Sequence, residues 1–432
     1  MSVSNPSKST VGAWIGPERR PLSILLSTGF LSLISNQLTG LAVPWFVLEL
    51  TGSATKMGIV AAATLLPSVL MMFVGGAIAD RTNPRKLSVF SDVLSGVTVA
   101  MVPILYVMGL LNFPLLLLLM VAGALFDTPG YSARSKLLPE LAERGGLPIE
   151  RVTSLQGVFQ AISMVFGAVL AGVLIALMGA TNVLYLNAAA FAVSAITMAL
   201  FIPNLHVPRE EMPSVVEDIK VGVKYVTSHK VLKPVVISAL VINGLFAPLM
   251  AVLLPYFAKT EWDSATRLGL MFSGFGAGAL VGSLASGTLT EKLTRSNVLR
   301  IALVLISVPI FALVAKPGIV LAWVAICLLG MGSGLVNPVL SAMMYRITAP
   351  DILGRVNGVI GAGAQVAAPL GVLAITPVLE QFGLGTSFLI IGVGCTLLSI
   401  WAIFISPLMR EIDRIPKGSA EPIRSELGES IP

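Results

Sequence analysis

Charge is what this sequence has least of. Only 12% of its 432 residues are Asp, Glu, Lys or Arg, while 55% are hydrophobic; soluble domains carry about a quarter charged residues. Mean hydropathy of +0.90 spreads the apolar excess over most of the chain, which excludes a soluble domain hung on a single anchor. Cysteine and histidine are scarcer still, with two of each. Cys327 and Cys395 lie inside apolar runs and His206 and His229 in a polar stretch, so no disulfide framework, metal site or other cofactor is expected. A phosphate-binding Gly-x-x-x-x-Gly-Lys-Ser/Thr loop is missing, which argues against an ATP-driven pump. The apolar runs also lack a nucleophile, base and orienting group in combination, so an enzyme is not expected. The formal charge of +6 comes from basic residues that flank apolar runs without interleaved aromatics, a topology signal and not a nucleic-acid surface.

What the sequence does have is apolar runs of about 20 residues, enough to cross roughly 30 Å of hydrocarbon as helix. They fall near 22–47, 55–79, 87–108, 113–135, 152–177, 182–202, 231–257, 265–289, 297–315, 318–345, 353–378 and 384–406. The expected fold is therefore an all-α polytopic membrane protein of twelve transmembrane helices. Of the 28 Lys and Arg residues, all but Lys56, Lys259, Arg267 and Lys316 fall on the side of the termini. The positive-inside rule makes both termini cytoplasmic. The N-terminal stretch 1–21 reads as a cytoplasmic tail without the apolar core of a cleaved signal, and 407–432 as a polar cytoplasmic tail.

The chain also repeats itself. A shift of 211 residues lays Val43-Pro44-Trp45-Phe46 on Leu254-Pro255-Tyr256-Phe257, and Ser53-Ala54-Thr55-Lys56-Met57-Gly58 on Ser264-Ala265-Thr266-Arg267-Leu268-Gly269. The same register pairs Gly76, Asp80 and Arg81 with Gly287, Glu291 and Lys292. Two parallel six-helix bundles, 22–202 and 231–406, follow from this duplication, the plan of carriers whose halves alternate access to a site. The connector 203–230 contains Val215, Ile219, Val223 and Val226 at helical spacing, which predicts an amphipathic interfacial helix.

The loop after the second span, Gly-Gly-Ala-Ile-Ala-Asp-Arg-Thr-Asn-Pro-Arg-Lys, resembles the signature of the major facilitator superfamily in Gly76, Asp80, Arg81, Arg85 and Lys86, with Asn83 and Pro84 departing from it. Its second copy supplies Gly287, Glu291 and Lys292. The resemblance implies a conformational latch in which Asp80 meets the start of the eleventh span, and physics agrees that a carboxylate at the membrane edge needs basic groups or helix N-terminal amides. The stretches Leu41–Val60 and Phe126–Pro139 are similar to the bacterial macrolide-efflux and enterobactin-exporter group. Where proton-coupled drug antiporters of the superfamily carry a Gly-Pro, Gly-Gly pattern in the fifth span, Phe166–Gly172 lacks the Pro and one Gly.

Two carboxylates stand inside spans, Asp127 in the fourth and Asp92 in the third. A low-dielectric setting favours the neutral acid, so such a group can take up and release a proton as access alternates. Arg134, seven residues from Asp127 on nearly the same helix face, is its candidate ion-pair partner; Asp92 stands near Arg85 and Lys86. Asn36, Gln37, Asn243 and Asn337 with Phe246 compose an apolar site with few polar groups, suited to an amphiphilic organic solute. Each Asn serves a helix-helix hydrogen bond as readily as a ligand contact. The function expected is proton-driven export of such a solute across the cell membrane by a monomer, with nutrient symport and lysolipid flipping as rivals. Gly274, Gly278, Gly282 and Ser286 form a small-residue ridge expected to seat another helix.

Overall fold

The computed structural model describes residues 18–204, 215–229, 231–348, 352–406 and 408–414. The side chains of residues 72–77, 79–81, 215–219, 362 and 408 are outside that description. The described residues form helices only. Four single helices open the chain: α1 (Arg20–Thr51), α2 (Ala54–Arg81), α3 (Pro84–Val107) and α4 (Phe113–Arg144). Next come α5 (Ile149–Ile162) and α6 (Ala168–Phe201), joined through a π turn, then α7 (Val215–Ser228), α8 (Leu232–Pro248) and α9 (Leu254–Trp262). The remainder are α10 (Ala265–Lys292), α11 (Arg295–Ser307), α12 (Ile310–Val314), α13 (Ile319–Ile347), α14 (Leu353–Ile400) and α15 (Leu408–Arg414).

Ten helical runs among the described residues are long and apolar enough to cross a membrane. Two of them, Ile149–Phe201 and Leu353–Ile405, are 53 residues long, about 80 Å at 1.5 Å per residue and enough for two crossings each. Each is broken where one crossing should give way to the next, at Gly179 (φ 81°) and Gly383 (φ 77°), backbone conformations that a side chain would penalise. Ten runs with two of double length accommodate the twelve expected spans. The helices continue through Pro44, Pro67, Pro129, Pro338 and Pro369. Just before Pro255 the chain widens into a π turn, Leu249–Leu253, consistent with the clash of a proline ring against the carbonyl four residues back.

By contact the chain separates into two compact units. The first takes the chain up to Thr39, Leu70–Ser163 and Leu184–Glu210. Its core near the start of α1 is leucine-rich: Leu22, Leu25 and Leu26 with Leu137, Leu138 and Leu141 of α4, Met198 of α6 and Ile202 just beyond it. On α3 the small residues Ser88, Ser91, Ser95 and Gly96 are all buried. A Cβ on Gly130 of α4 would lie 2.8 Å from the Ser91 Cβ, so these helices meet almost backbone to backbone.

The second unit holds Gly40–Val69, Met164–Val183 and the chain from Glu211 onward. Here the expected glycine ridge is a helix contact. A side chain on Gly278 or Gly282 of α10 would run into the carbonyls of Cys327 and Met331 on α13. Reciprocally, one on Gly330 or Gly334 of α13 would meet the carbonyls of Phe275 and Ala279. Because those obstacles are backbone, they cannot rotate away. Gly278→Ala is expected to destabilise the protein by about 1–3 kcal/mol through overpacking. Gly287→Ala, with nothing within 4 Å of the added carbon, is expected to leave the unfolding midpoint in detergent unchanged or slightly raised; equal midpoints for both variants would refute the ridge.

The connector helix α7 forms; of its expected apolar stripe Val226 packs and Val223 does not, and the side chains of Val215 and Ile219 lie outside the described residues. Val226 is buried and the Tyr225 hydroxyl donates to the Ile347 carbonyl at 2.9 Å, while Val223 is exposed. Gly222 faces the Arg355 carbonyl, 2.9 Å from where its Cβ would be. The stripe through Val223 was read from apolar spacing alone, and the helix instead turns its smallest residue toward α14.

Candidate functional site

In the first unit the chemistry centres on a buried charge cluster. Asp92 of α3 is 4% exposed and its carboxylate accepts from the Arg134 guanidinium of α4, one nitrogen reaching both oxygens. The Ser194 hydroxyl of α6 donates to Asp92 Oδ2 at 2.8 Å. Arg134 also donates through Nε to Ser88 Oγ at 3.0 Å, and through its terminal nitrogens to the hydroxyls of Ser32 on α1 and Ser194, the latter at 3.1 Å. Four helices are thus tied to one ion pair whose hydrogen-bonding capacity is nearly used up, the arrangement a buried pair needs to repay its desolvation.

This revises the expected pairing. Arg134 is in an ion pair, but with Asp92 instead of Asp127, and Asp92 does not engage Arg85 or Lys86. The Arg85 guanidinium donates to the Ala199 carbonyl at the end of α6, and Lys86 makes no ion pair among the described residues. Asp127 feels the charges of Arg134 and Asp92 yet makes no hydrogen bond or ion pair among the described residues. Its residue surface is exposed, although protein surrounds the carboxyl group on most sides.

Helix geometry puts Asn36 and Asp127 on the same side of the ion pair along the helix axes. The Ser32–Arg134 bond pins α1 and α4 at one level. Asn36 is one turn further along α1, about 6 Å, and Asp127 two turns back along the antiparallel α4, about 10 Å, each on the face that carries the bond. Both are exposed, Gln37 is half-buried, and none of the three has a hydrogen-bond partner among the described residues. Three uncommitted polar side chains therefore stand on one side of a fully committed cluster. In the same unit the buried Asn187 of α6 donates to the Thr39 hydroxyl while its own carbonyl oxygen finds no partner.

In the second unit Asn243 of α8 donates to its own helix at Ala239 O, 2.8 Å, leaving its carbonyl oxygen open. Phe246 lies 5.1 Å from Phe275, ring centre to ring centre. Asn337 of α13 is exposed without a partner. Gly287, Glu291 and Lys292, the second copy of the latch, are exposed with no ion pair between them. The side chains of Gly76, Asp80 and Arg81 lie outside the described residues, and so does the expected contact to the start of the eleventh span.

The second unit also gathers contacts that sequence reasoning missed, on the side away from the termini. Gly172 and Gly269 meet with 3.1 Å between the Cα of one and a Cβ position on the other. Trp45 Nε1 donates to Glu49 at 2.8 Å, and Lys259 stands 4.8 Å over the Trp45 ring and 3.7 Å from Glu49. Glu380, on α14 just before its break at Gly383, accepts from the Thr55 backbone N–H and the Ser53 hydroxyl, both at 3.0 Å. It caps α2 from more than three hundred residues away, supplying a negative charge to a positive helix end. Bonds from Thr55 and then from Ser53 hold its carboxyl below the usual carboxylate range. A depressed folded-state pKa means that the contact's contribution is present above the ordinary carboxylate pKa and is lost as pH falls through the lowered one. Glu380→Gln is therefore expected to lower the melting midpoint at pH 7, with the difference from wild type vanishing in acid; a difference independent of pH would exclude the charged cap.

Comparison with known proteins settles the family. The profile of the family described as transmembrane secretion effectors matches residues 22–421. The chain belongs to that family. It is a transporter of the major facilitator superfamily, in the efflux group that its sequence resembles. The multidrug efflux pump Tap of Mycolicibacterium fortuitum is 30% identical over 410 residues, 93% of this chain and 99% of the pump. The macrolide efflux protein A of Streptococcus pyogenes is 22% identical, over 89% of this chain and 94% of its own. The enterobactin exporter EntS of Shigella flexneri is 26% identical, over 84% and 88%. Among solved structures the nucleoside transporter NupG aligns with a TM-score of 0.76 at 13% identity, over 90% of this chain and all of that one, which supports the fold alone.

Proposed function

We infer that this transporter exports amphiphilic organic compounds by alternating access, driven by protons that Asp127 takes up and releases. The observation that carries this reading is the contrast between two intramembrane carboxylates. Asp92 is locked by an arginine and a serine, so protonating it would strand the Arg134 charge. Asp127 is exposed and has no partner among the described residues, so it can change protonation without breaking a bond. The polar groups left uncommitted, Asn36, Gln37 and Asn337, are donors and acceptors without charge, and Phe246 and Phe275 offer apolar surface. That mixture fits drugs, siderophores or other natural products with a large apolar body, and efflux pumps among the relatives support export. The Lys and Arg distribution supports cytoplasmic termini in the cell membrane, and one chain holding both repeats supports a monomeric transport unit.

The test is the initial rate of loss of several preloaded cationic and neutral amphiphiles from expressing cells. The rate should exceed that of non-expressing cells, and a protonophore should remove the excess. Accumulation instead of loss would favour uptake, and no effect on any compound with the protein present in the membrane would sink the export reading.

A further inference from the structure

Between the start of α3 and the end of α6, within the first unit, lies a cavity of about 440 Å³ lined by Arg85, Lys86, Val89, Phe90, Val93, Ala199 and Asn204. We propose that it binds the headgroup and upper acyl chain of an anionic phospholipid.

The argument starts from charge. The first turn of α3 begins at Pro84 and contains no acidic residue, yet it carries Arg85 and Lys86, cations placed at the positive end of a helix dipole where an anion is favoured. The Asn83 side chain caps the helix by accepting from the Lys86 backbone N–H at 3.1 Å, which leaves the ammonium group unengaged. Arg85 uses one N–H on the Ala199 carbonyl and retains others of its five. The Asn83 amide donates to Asn204 Oδ1 at 2.7 Å, closing the polar end of the cavity. Two cations and a helix terminus therefore share one rim, and no carboxylate lines it among the described residues, the electrostatic complement of a phosphate.

The other walls select a lipid over a soluble anion. Phe90, Val93 and Val97, at helical spacing along α3, are 56%, 48% and 52% exposed, and Val193, Ile196 and Leu200 along α6 are 54%, 59% and 69% exposed. In a chain of transmembrane helices such faces look into hydrocarbon. The two stripes flank a seam that closes further from the termini, where Gly96 and Phe191 approach until a Cβ on the glycine would lie 3.1 Å from the Phe191 Cβ. A phosphate at Lys86 would thus have its acyl chain laid along the seam. Basic pockets between transmembrane helices at the membrane edge take anionic headgroups for this reason. An inorganic phosphate or an acidic peptide would leave both stripes unused.

The test is native mass spectrometry of the purified full-length chain, titrated separately with dioleoyl phosphatidylglycerol and dioleoyl phosphatidylcholine. Phosphatidylglycerol adducts should survive at several-fold lower lipid concentration than phosphatidylcholine adducts. Lys86→Gln, which removes the free cation, and Val93→Trp, which fills the cavity, should each reduce that preference and leave the phosphatidylcholine adducts as they were. If Val93→Trp does not accumulate, Lys86→Gln decides alone. Equal retention of both lipids by the wild type, or a preference unchanged in Lys86→Gln, would overturn the proposal.

Discussion

Asp92→Ala is expected to lose about 3–5 kcal/mol of stability, because it leaves the Arg134 guanidinium buried without its counter-charge. Arg134→Ala should lose a similar amount by orphaning the carboxylate together with the hydroxyls of Ser32, Ser88 and Ser194. Either change disturbs α1, α3, α4 and α6 at once, so little monodisperse protein should be recovered and its melting midpoint in detergent should fall sharply. The double variant Asp92→Leu with Arg134→Met removes both charges and should recover a large part of the loss, since exchanging a buried pair for apolar groups of similar volume is often neutral. Additive losses in the double variant would show that the two side chains do not act as a pair.

Asp127→Asn should behave in the opposite manner. The side chain makes no bond, so its amide replacement is expected to melt within about 0.5 kcal/mol of wild type, as for other changes away from packed contacts. Protonophore-sensitive efflux should fall to the level of non-expressing cells, because an amide cannot exchange the proton that couples transport. Asp127→Glu keeps the titratable group and should retain part of the activity. A variant that is unstable as well as inactive would move Asp127 from coupling to structure; one that is stable and fully active would end its role altogether.

The contrast between these two carboxylates marks the limit of what the sequence can tell. Spans were legible because apolar runs of bilayer length are hard to produce by other means, and the duplication because register survives in Val43–Phe46 and Leu254–Phe257. The glycine ridge of α10 was legible as a ridge, since spacing of four on a helix puts residues on one face. Its partner was not, because the choice of α13 is made across helices. The same limitation governs the charges. Arg134 and Asp127 are neighbours on one helix, and spacing suggested a pair; Asp92 lies 42 residues away and wins because the close α3–α4 contact at Ser91 and Gly130 brings it to the guanidinium. A signal was present in the polar stripe Ser88, Ser91, Asp92 and Ser95 within an apolar span, which needed a partner from somewhere. Contacts such as Glu380 capping α2 join segments from opposite ends of the chain and leave no trace in local spacing.

Purified protein in liposomes with an imposed pH gradient tests the central claim, that proton movement through Asp127 drives export. The substrate is a permanently charged amphiphilic cation, so that its own titration cannot mimic transport. Wild-type liposomes with an acidic lumen should accumulate the cation and lose luminal protons faster than empty liposomes, while Asp127→Asn liposomes match the empty ones. Accumulation by the Asp127→Asn protein equal to that of wild type, or proton loss unaffected by the cation, would contradict the account.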